Sequence, residues 1–142
     1  MSQVLSFRDL DVWQVAMDLV VAVYRETECL PPAERFGLTS QIRRAALSIP
    51  SNIAEGHARR NEGAYLNHVR IAIGSQAELD TQIEAALRLG FLEAASAATL
   101  LSDLGRLRQM LYGLRRSLQR RRQAAAGLSS GAVGLLIVMM LG

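Results

Sequence analysis

The sequence predicts an all-α protein, an antiparallel up-and-down four-helix bundle whose second helix is bent at Pro50. Three observations carry that reading. Half of the 142 residues are apolar but only 5% are aromatic, so a core must be assembled from Leu, Ile, Val and Ala, the composition of packed helices rather than of sheets. Apolar residues recur at steps of three and four along most of the chain, and no alternating stretch competes as a strand. Pro and Gly fall between the periodic segments and leave only short connections, which favours neighbouring helices that run in opposite directions. The length suits one domain with a real core. The expected division is a bundle domain over residues 1–122 and an apolar, Gly- and Ser-containing tail over 123–142, outside the bundle.

The first helix, roughly Asp9 to Glu28, places Leu10, Trp13, Met17, Val20, Val21 and Tyr24 on one face. It ends at Leu30-Pro31-Pro32, because proline restricts its predecessor and lacks an amide proton. Gly37 closes the loop, and Thr39 or Ser40 is expected to cap the second helix. That helix carries Ile42, Ala45, Ala46 and Ile49 before Pro50, then Ile53 and Ala54. A straight helix through Pro50 is disfavoured by about 3 kcal/mol, since the ring crowds the Ala46 carbonyl and leaves it unpaired. Either the helix kinks there, or Ser48 caps a fresh helix with Pro50 in its first turn, with Ser51 and Asn52 bonding locally. Gly56 and Asn61-Glu62-Gly63 mark the next break.

The third helix runs from Glu62 or Ala64 to Leu89 on Tyr65, Val69, Ala72, Ile73, Leu79, Ile83, Ala86 and Leu87, with Gly90 just beyond its end. Gln76 falls on the same stripe and reads as a satisfied core amide. In the fourth helix Leu100, Leu104, Leu107, Leu111, Leu114 and Leu118 alternate steps of four and three, a heptad seam that keeps facing one partner. Beside it Arg108, Arg115 and Arg122 recur every seven residues, with Arg116 and Arg120 further round.

Charge is unevenly placed. Residues 1–103 hold nine Arg against all thirteen acids, giving −4, whereas residues 104–142 hold seven Arg and no acid, giving +7. Such a basic pole points to a nucleic acid or an anionic membrane, although arginines at a helix end also complement the macrodipole with no partner. Every basic residue is Arg and none is Lys, which codon bias explains as readily as selection for phosphate. One cysteine, Cys29, excludes an internal disulfide and is expected in the core or at its rim. The N-terminal stretch lacks the apolar run of a secretory signal, so the expected location is the cytoplasm. Arg120-Arg121-Arg122 before an apolar run resembles a membrane anchor, but the strongly apolar part, Ala132 to Leu141, is short of the roughly 20 residues a span requires. A disordered or partner-packed tail, or a reading-frame extension, is the better expectation.

Catalytic and cofactor chemistry finds little support. Cys29, His57 and His68 match no usual metal spacing, so no metal and no cofactor are expected. Gly127-Leu128-Ser129-Ser130-Gly131 fits G-x-S-x-G by letter but lacks the strand a nucleophile elbow needs, and it fits G-x-x-x-G equally well. Without lysine there is no phosphate loop of the glycine-lysine type. Glu55 with His57, or Glu62 with His68, can be drawn as acid and base, yet such lone pairs are more often structural. A HEPN-type ribonuclease would place an Arg four to six residues before a His, and neither histidine has one. The expectation is a protein that is not an enzyme.

The segments FRDLDVWQVAMDLVVAVY, ERFGLTSQIRRAALSIPSNIAEG and IAIGSQAELDTQIEAALRLGFL together resemble the bacterial four-helix-bundle family encoded within intervening sequences of 23S rRNA genes, the S23-like proteins. The resemblance spans Phe7 to about Leu118, and Ile-Pro-Ser-Asn-Ile-Ala-Glu-Gly is its most specific part. It implies an up-and-down bundle that assembles into a homopentamer, related to the accessory variability protein of diversity-generating retroelements, a basic pentamer that binds a reverse transcriptase and nucleic acid. It supplies no catalytic residues. The apolar tail departs from the family pattern.

The expected function is therefore an oligomeric module that meets RNA or DNA through Arg43, Arg44, Arg70, Arg108, Arg115 and Arg122, repetition around a ring multiplying a weak patch. The alternatives are a scaffold for a protein partner, such as a reverse transcriptase, and a membrane-anchored bundle.

Overall fold

The computed structural model describes residues 5–140, apart from the side chains of residues 132–134, 136 and 137. Among the described residues there are four long helices and no strand: α1 (Asp11–Glu26), α2 (Leu38–Ala58), α3 (Glu62–Arg88) and α4 (Ala94–Met140). Short 3₁₀ turns at Phe7–Asp9, Thr27–Cys29 and Pro32–Glu34 fill the connections. Ser6 and Asp9 form a reciprocal capping box on the first of these turns. Helix α2 packs on α1 and α3, and α4 packs on α3 and α1.

Several helix ends differ from expectation for identifiable reasons. Neither Thr39 nor Ser40 caps α2. The helix begins at Leu38 with Gly37 at the N-cap position, two residues before Thr39, and the Glu34 carboxylate reaches across Gly37 to accept the Leu38 amide at 3.0 Å. An acid from the preceding turn thus does the work assigned to a hydroxyl, and a negative charge at a helix N-terminus is favourable in its own right. Ser48 does not start a fresh helix, since α2 runs unbroken through Pro50 to Ala58. Asn52 instead donates its Nδ2 to the Ser48 carbonyl at 2.8 Å and to the Ser48 hydroxyl at 3.1 Å. Nor does Gly56 break the helix: it is buried inside α2, and the chain reverses at Arg59 and Arg60, the latter at φ 53°. Asn61 then caps α3 by accepting the Ala64 amide at 2.9 Å. Gly90, at φ 76°, closes α3 in a Schellman motif, with Phe91 N–H bonded to the Ala86 carbonyl and Gly90 N–H to that of Leu87.

The core is aliphatic. Val12, Ala16, Leu19 and Val23 of α1, Ile42, Ile49 and Ile53 of α2, and Leu79 and Ile83 of α3 surround Leu100, Leu104, Leu107 and Leu111 of α4. A smaller cluster of Leu66, Val69 and Leu118 continues the contact between α3 and α4. Five of the six seam leucines are fully buried, and Leu114 is partly so. Each full burial contributes about 1.5–3 kcal/mol of transfer free energy, which outweighs the roughly 1 kcal/mol lost at each of the interior glycines Gly105 and Gly113. Gln76, 2% exposed, donates to the Leu104 carbonyl at 3.3 Å, the satisfied core amide its position in the stripe predicts. Cys29 is exposed, at the edge of the core rather than within it.

The tail is not separate from the helix before it. Helix α4 runs on to Met140, and every residue from Arg120 to Gly131 is exposed. Among the described residues no helix is long and apolar enough to cross a membrane.

Candidate functional site

The six arginines singled out from the sequence meet different fates. Arg43 lies against the end of α1. Its Nε donates to the Thr27 hydroxyl at 3.0 Å, its Nη2 donates to the Tyr24 carbonyl at 3.3 Å, and its guanidinium lies 4.6 Å from the Tyr24 ring centre. Thr27 is buried and passes its own proton to the Val23 carbonyl at 2.7 Å, so the whole group is satisfied internally. Arg43 acts as a pin between α1 and α2. Arg44 is exposed in a groove between α2 and α3 shared with Glu78, Ser48 and Ser75. Arg108 is exposed, and Arg115 is half-buried with its guanidinium 4.7 Å from the Tyr112 ring centre.

Arg70 and Arg122 are the two that the fold brings together. They line one open groove of about 360 Å³ between α3 and α4, with Leu66, Gln119, Gln123 and Ala126. The pairing follows from the seam: Leu118 packs on Leu66 and Val69, which sets the next turn of α4 beside Arg70. Arg122 also reaches the N-terminus of α3, where its Cζ would lie 3.6 Å from a Cβ placed on Gly63. Among the described residues, no carboxylate lies within 4 Å of Arg70, Arg108, Arg115 or Arg122; the ion pairs present are Arg59–Glu55, His68–Glu55 and Arg88–Glu84. Two guanidinium groups, which only donate, line this groove with the side-chain amides of Gln119 and Gln123, which can donate as well as accept, and the guanidinium groups are able to hold phosphate oxygens bidentately.

Sequence reasoning missed a polar chain that crosses from α2 to α3 beside this end. The Ser75 and Ser48 hydroxyls are 2.8 Å apart, Asn52 bonds Ser48, and Asn52 Oδ1 meets His68 Nδ1 at 3.0 Å. Because the Asn52 amide nitrogen is committed to Ser48, its Oδ1 accepts and His68 Nδ1 donates. The other ring nitrogen lies 3.8 Å from Glu55, which Arg59 also bonds at 3.0 Å. His68 therefore pairs with Glu55, and neither acid–base pair drawn from the sequence forms. The Arg59 hydrogen bond, followed by the charge of His68, holds the exposed Glu55 carboxyl below its usual value. Tyr65 stacks edge-on against His57 with ring centres 5.8 Å apart, its hydroxyl is buried without a partner, and burial raises its pKa against the opposing charge of Arg121. The signal for this arrangement was Asn52 and Gly56 one helical turn apart on a face that must meet α3. Among the described residues no cluster of His, Cys, Asp or Glu is placed to hold a metal ion.

Comparison with known proteins now adds two findings. A family model described as 23S rRNA-intervening sequence protein matches residues 8–113. Among solved structures, the crystal structure of a protein of unknown function from the S23 ribosomal protein family of Bacteroides thetaiotaomicron VPI-5482 is similar, with a TM-score of 0.68 at 19% identity. The match covers 73% of this chain and 97% of that one, and it establishes likeness of fold. No curated protein matches the chain.

Proposed function

We propose, on the premise that the chain belongs to the 23S rRNA-intervening sequence protein family, that it is a non-enzymatic, oligomeric, cytoplasmic helical module that binds RNA or other nucleic acid through clustered arginines. The observation that carries this reading is the α3–α4 groove, where Arg70 and Arg122 converge with no acid of the described chain within ion-pairing distance. Arg44, Arg108 and Arg115 would extend the contact, whereas the hydrogen bonds of Arg43 make it the weakest member of the set.

The up-and-down antiparallel arrangement belongs to the same proposal. It is supported by the order of contacts: Ser48 with Ser75 and Asn52 with His68 between α2 and α3, and Gln76 with Leu104 between α3 and α4. So does a bend of α2 at Pro50, the least costly way to carry a proline inside a helix. A homopentameric assembly would array five such grooves around one axis. Kinship with the accessory variability protein of diversity-generating retroelements would add a reverse transcriptase as protein partner.

Filter binding of a structured RNA tests the reading. About five phosphate contacts give a log–log salt slope of roughly −4 to −5. Replacing Arg70 and Arg122 by alanine together should flatten that slope by about two units. Absence of RNA affinity at low salt, or an unchanged slope in the double variant, overturns it. A second reading, a scaffold for a protein partner, draws on the exposed apolar residues at the end of α4. A stoichiometric partner protein that survives nuclease treatment would favour it.

A further inference from the structure

The polar chain that ties α2 to α3 has one member that is satisfied only when it carries two protons. Asn52 is the pivot. Its side-chain nitrogen is fixed by the Ser48 carbonyl at 2.8 Å, since a carbonyl only accepts. Its Oδ1 therefore faces His68 Nδ1, at 3.0 Å, and that ring nitrogen must carry a hydrogen. The other, Nε2, lies 3.8 Å from Glu55 Oε1, close enough for an ion pair and too long for a hydrogen bond. A neutral imidazole has a hydrogen on one nitrogen and a bare lone pair on the other. With the hydrogen claimed at Nδ1, neutral His68 turns its lone pair toward a carboxylate, acceptor against acceptor. A second proton, on Nε2, converts the same contact into an attractive pair. The His68 side chain is 15% exposed and that of Glu55 55%, so the ring is sheltered while water reaches the acid.

We infer that His68 is a proton-operated latch: its second proton fastens the part of α2 beyond Pro50 onto α3, and loss of that proton loosens it. The position of the latch supports this. Pro50 has no amide hydrogen to give the Ala46 carbonyl, so α2 is tied across this point by one backbone bond fewer than elsewhere. Just beyond, Gly56 brings α2 against the His68 Cβ and the Tyr65 ring. The charged and titratable groups around His68 are Glu55, His57 and Arg59 of α2, Tyr65 of its own helix, and Arg121 of α4, which acts on Tyr65. Among the described residues Glu55 is the only carboxylate within 4 Å of it. The Arg59 hydrogen bond, followed by the charge of His68, holds the Glu55 carboxyl below its usual value. The acid is therefore ionised throughout the range, about pH 5 to 8, in which histidine side chains change charge. The latch is shut at the acid end of that range and opens as pH rises through it.

The inference does not rest on the nucleic-acid reading, since no residue of the α3–α4 groove takes part in the latch. Nitrogen NMR of the imidazole rings in the full chain is the first test. At about pH 8 His68 should hold its single hydrogen on Nδ1 rather than Nε2, and at about pH 5 it should hold one on each. Hydrogen exchange of the Ile53 to Ala58 amides is the second. Between about pH 5 and 8 their opening, corrected for the direct effect of pH on exchange, should grow about threefold or more, while the amides of α1 hold steady. Glu55→Gln and His68→Gln should each abolish that growth. His57→Gln, which leaves the latch in place, should keep it. A neutral His68 with its hydrogen on Nε2 overturns the proposal whether or not the variants fold. So does opening that is independent of pH in the parent, or a pH response that survives His68→Gln or disappears with His57→Gln.

Discussion

Replacing Gly56 by alanine probes the closest approach of α2 and α3. A Cβ built at Gly56 lies 2.7 Å from the His68 Cβ, 2.9 Å from the Tyr65 Cδ2 and 3.3 Å from the Tyr65 Cα. None of these atoms is the free end of a flexible chain, so the helices themselves must separate, and overpacking of that kind costs about 1–3 kcal/mol. Alanine returns at most about 1 kcal/mol of helix propensity, and less than that two residues from the end of α2. The net expectation is a loss of about 1–2 kcal/mol. Gly74→Ala supplies the opposite sign, because nothing lies within 4 Å of a Cβ there; it should gain about 0.5–1 kcal/mol. Urea titrations of the two variants and the parent measure both, and melting should fall by several degrees for Gly56→Ala. A Gly56→Ala protein as stable as the parent, at unchanged denaturant slope, would refute the close packing deduced from the interior glycine.

Two further outcomes concern the same end of the molecule. Tyr65→Phe removes a buried hydroxyl that has no hydrogen-bond partner, and should leave stability unchanged or raise it by up to about 1 kcal/mol at neutral pH. Because burial raises the Tyr65 pKa above 10.0, the unfolded chain releases its proton first. The parent therefore loses stability as pH rises past about 10, and the phenylalanine variant should lose less, as urea midpoints on either side of that pH will show. Glu55 has the opposite sign: its folded pKa lies below 4.5, so its contribution is present above that pH and is lost as pH falls. Glu55→Gln should flatten the acid side of the stability profile, and the difference from the parent should shrink at high salt because the carboxylate is exposed.

How much was legible in the sequence depended on whether a residue's role is set locally. The leucine seam of α4 was readable because its period alone determines which face is covered, and Gly90 because only a left-handed residue suits that turn. Gly56 was not, since a glycine that ends a helix and one that lets two helices touch are written identically. The cap on α2 was misread for a related reason: a hydroxyl at the boundary is visible in sequence, but a carboxylate folded back by a 3₁₀ turn is not. Continuation of α4 to Met140 was hidden by its Gly and Ser content, which by composition reads as disorder. The arginines show the same limit. Arg43 and Arg44 are adjacent in sequence, yet one faces the end of α1 and the other an open groove, because a step of 100° around a helix separates a packed face from a solvated one.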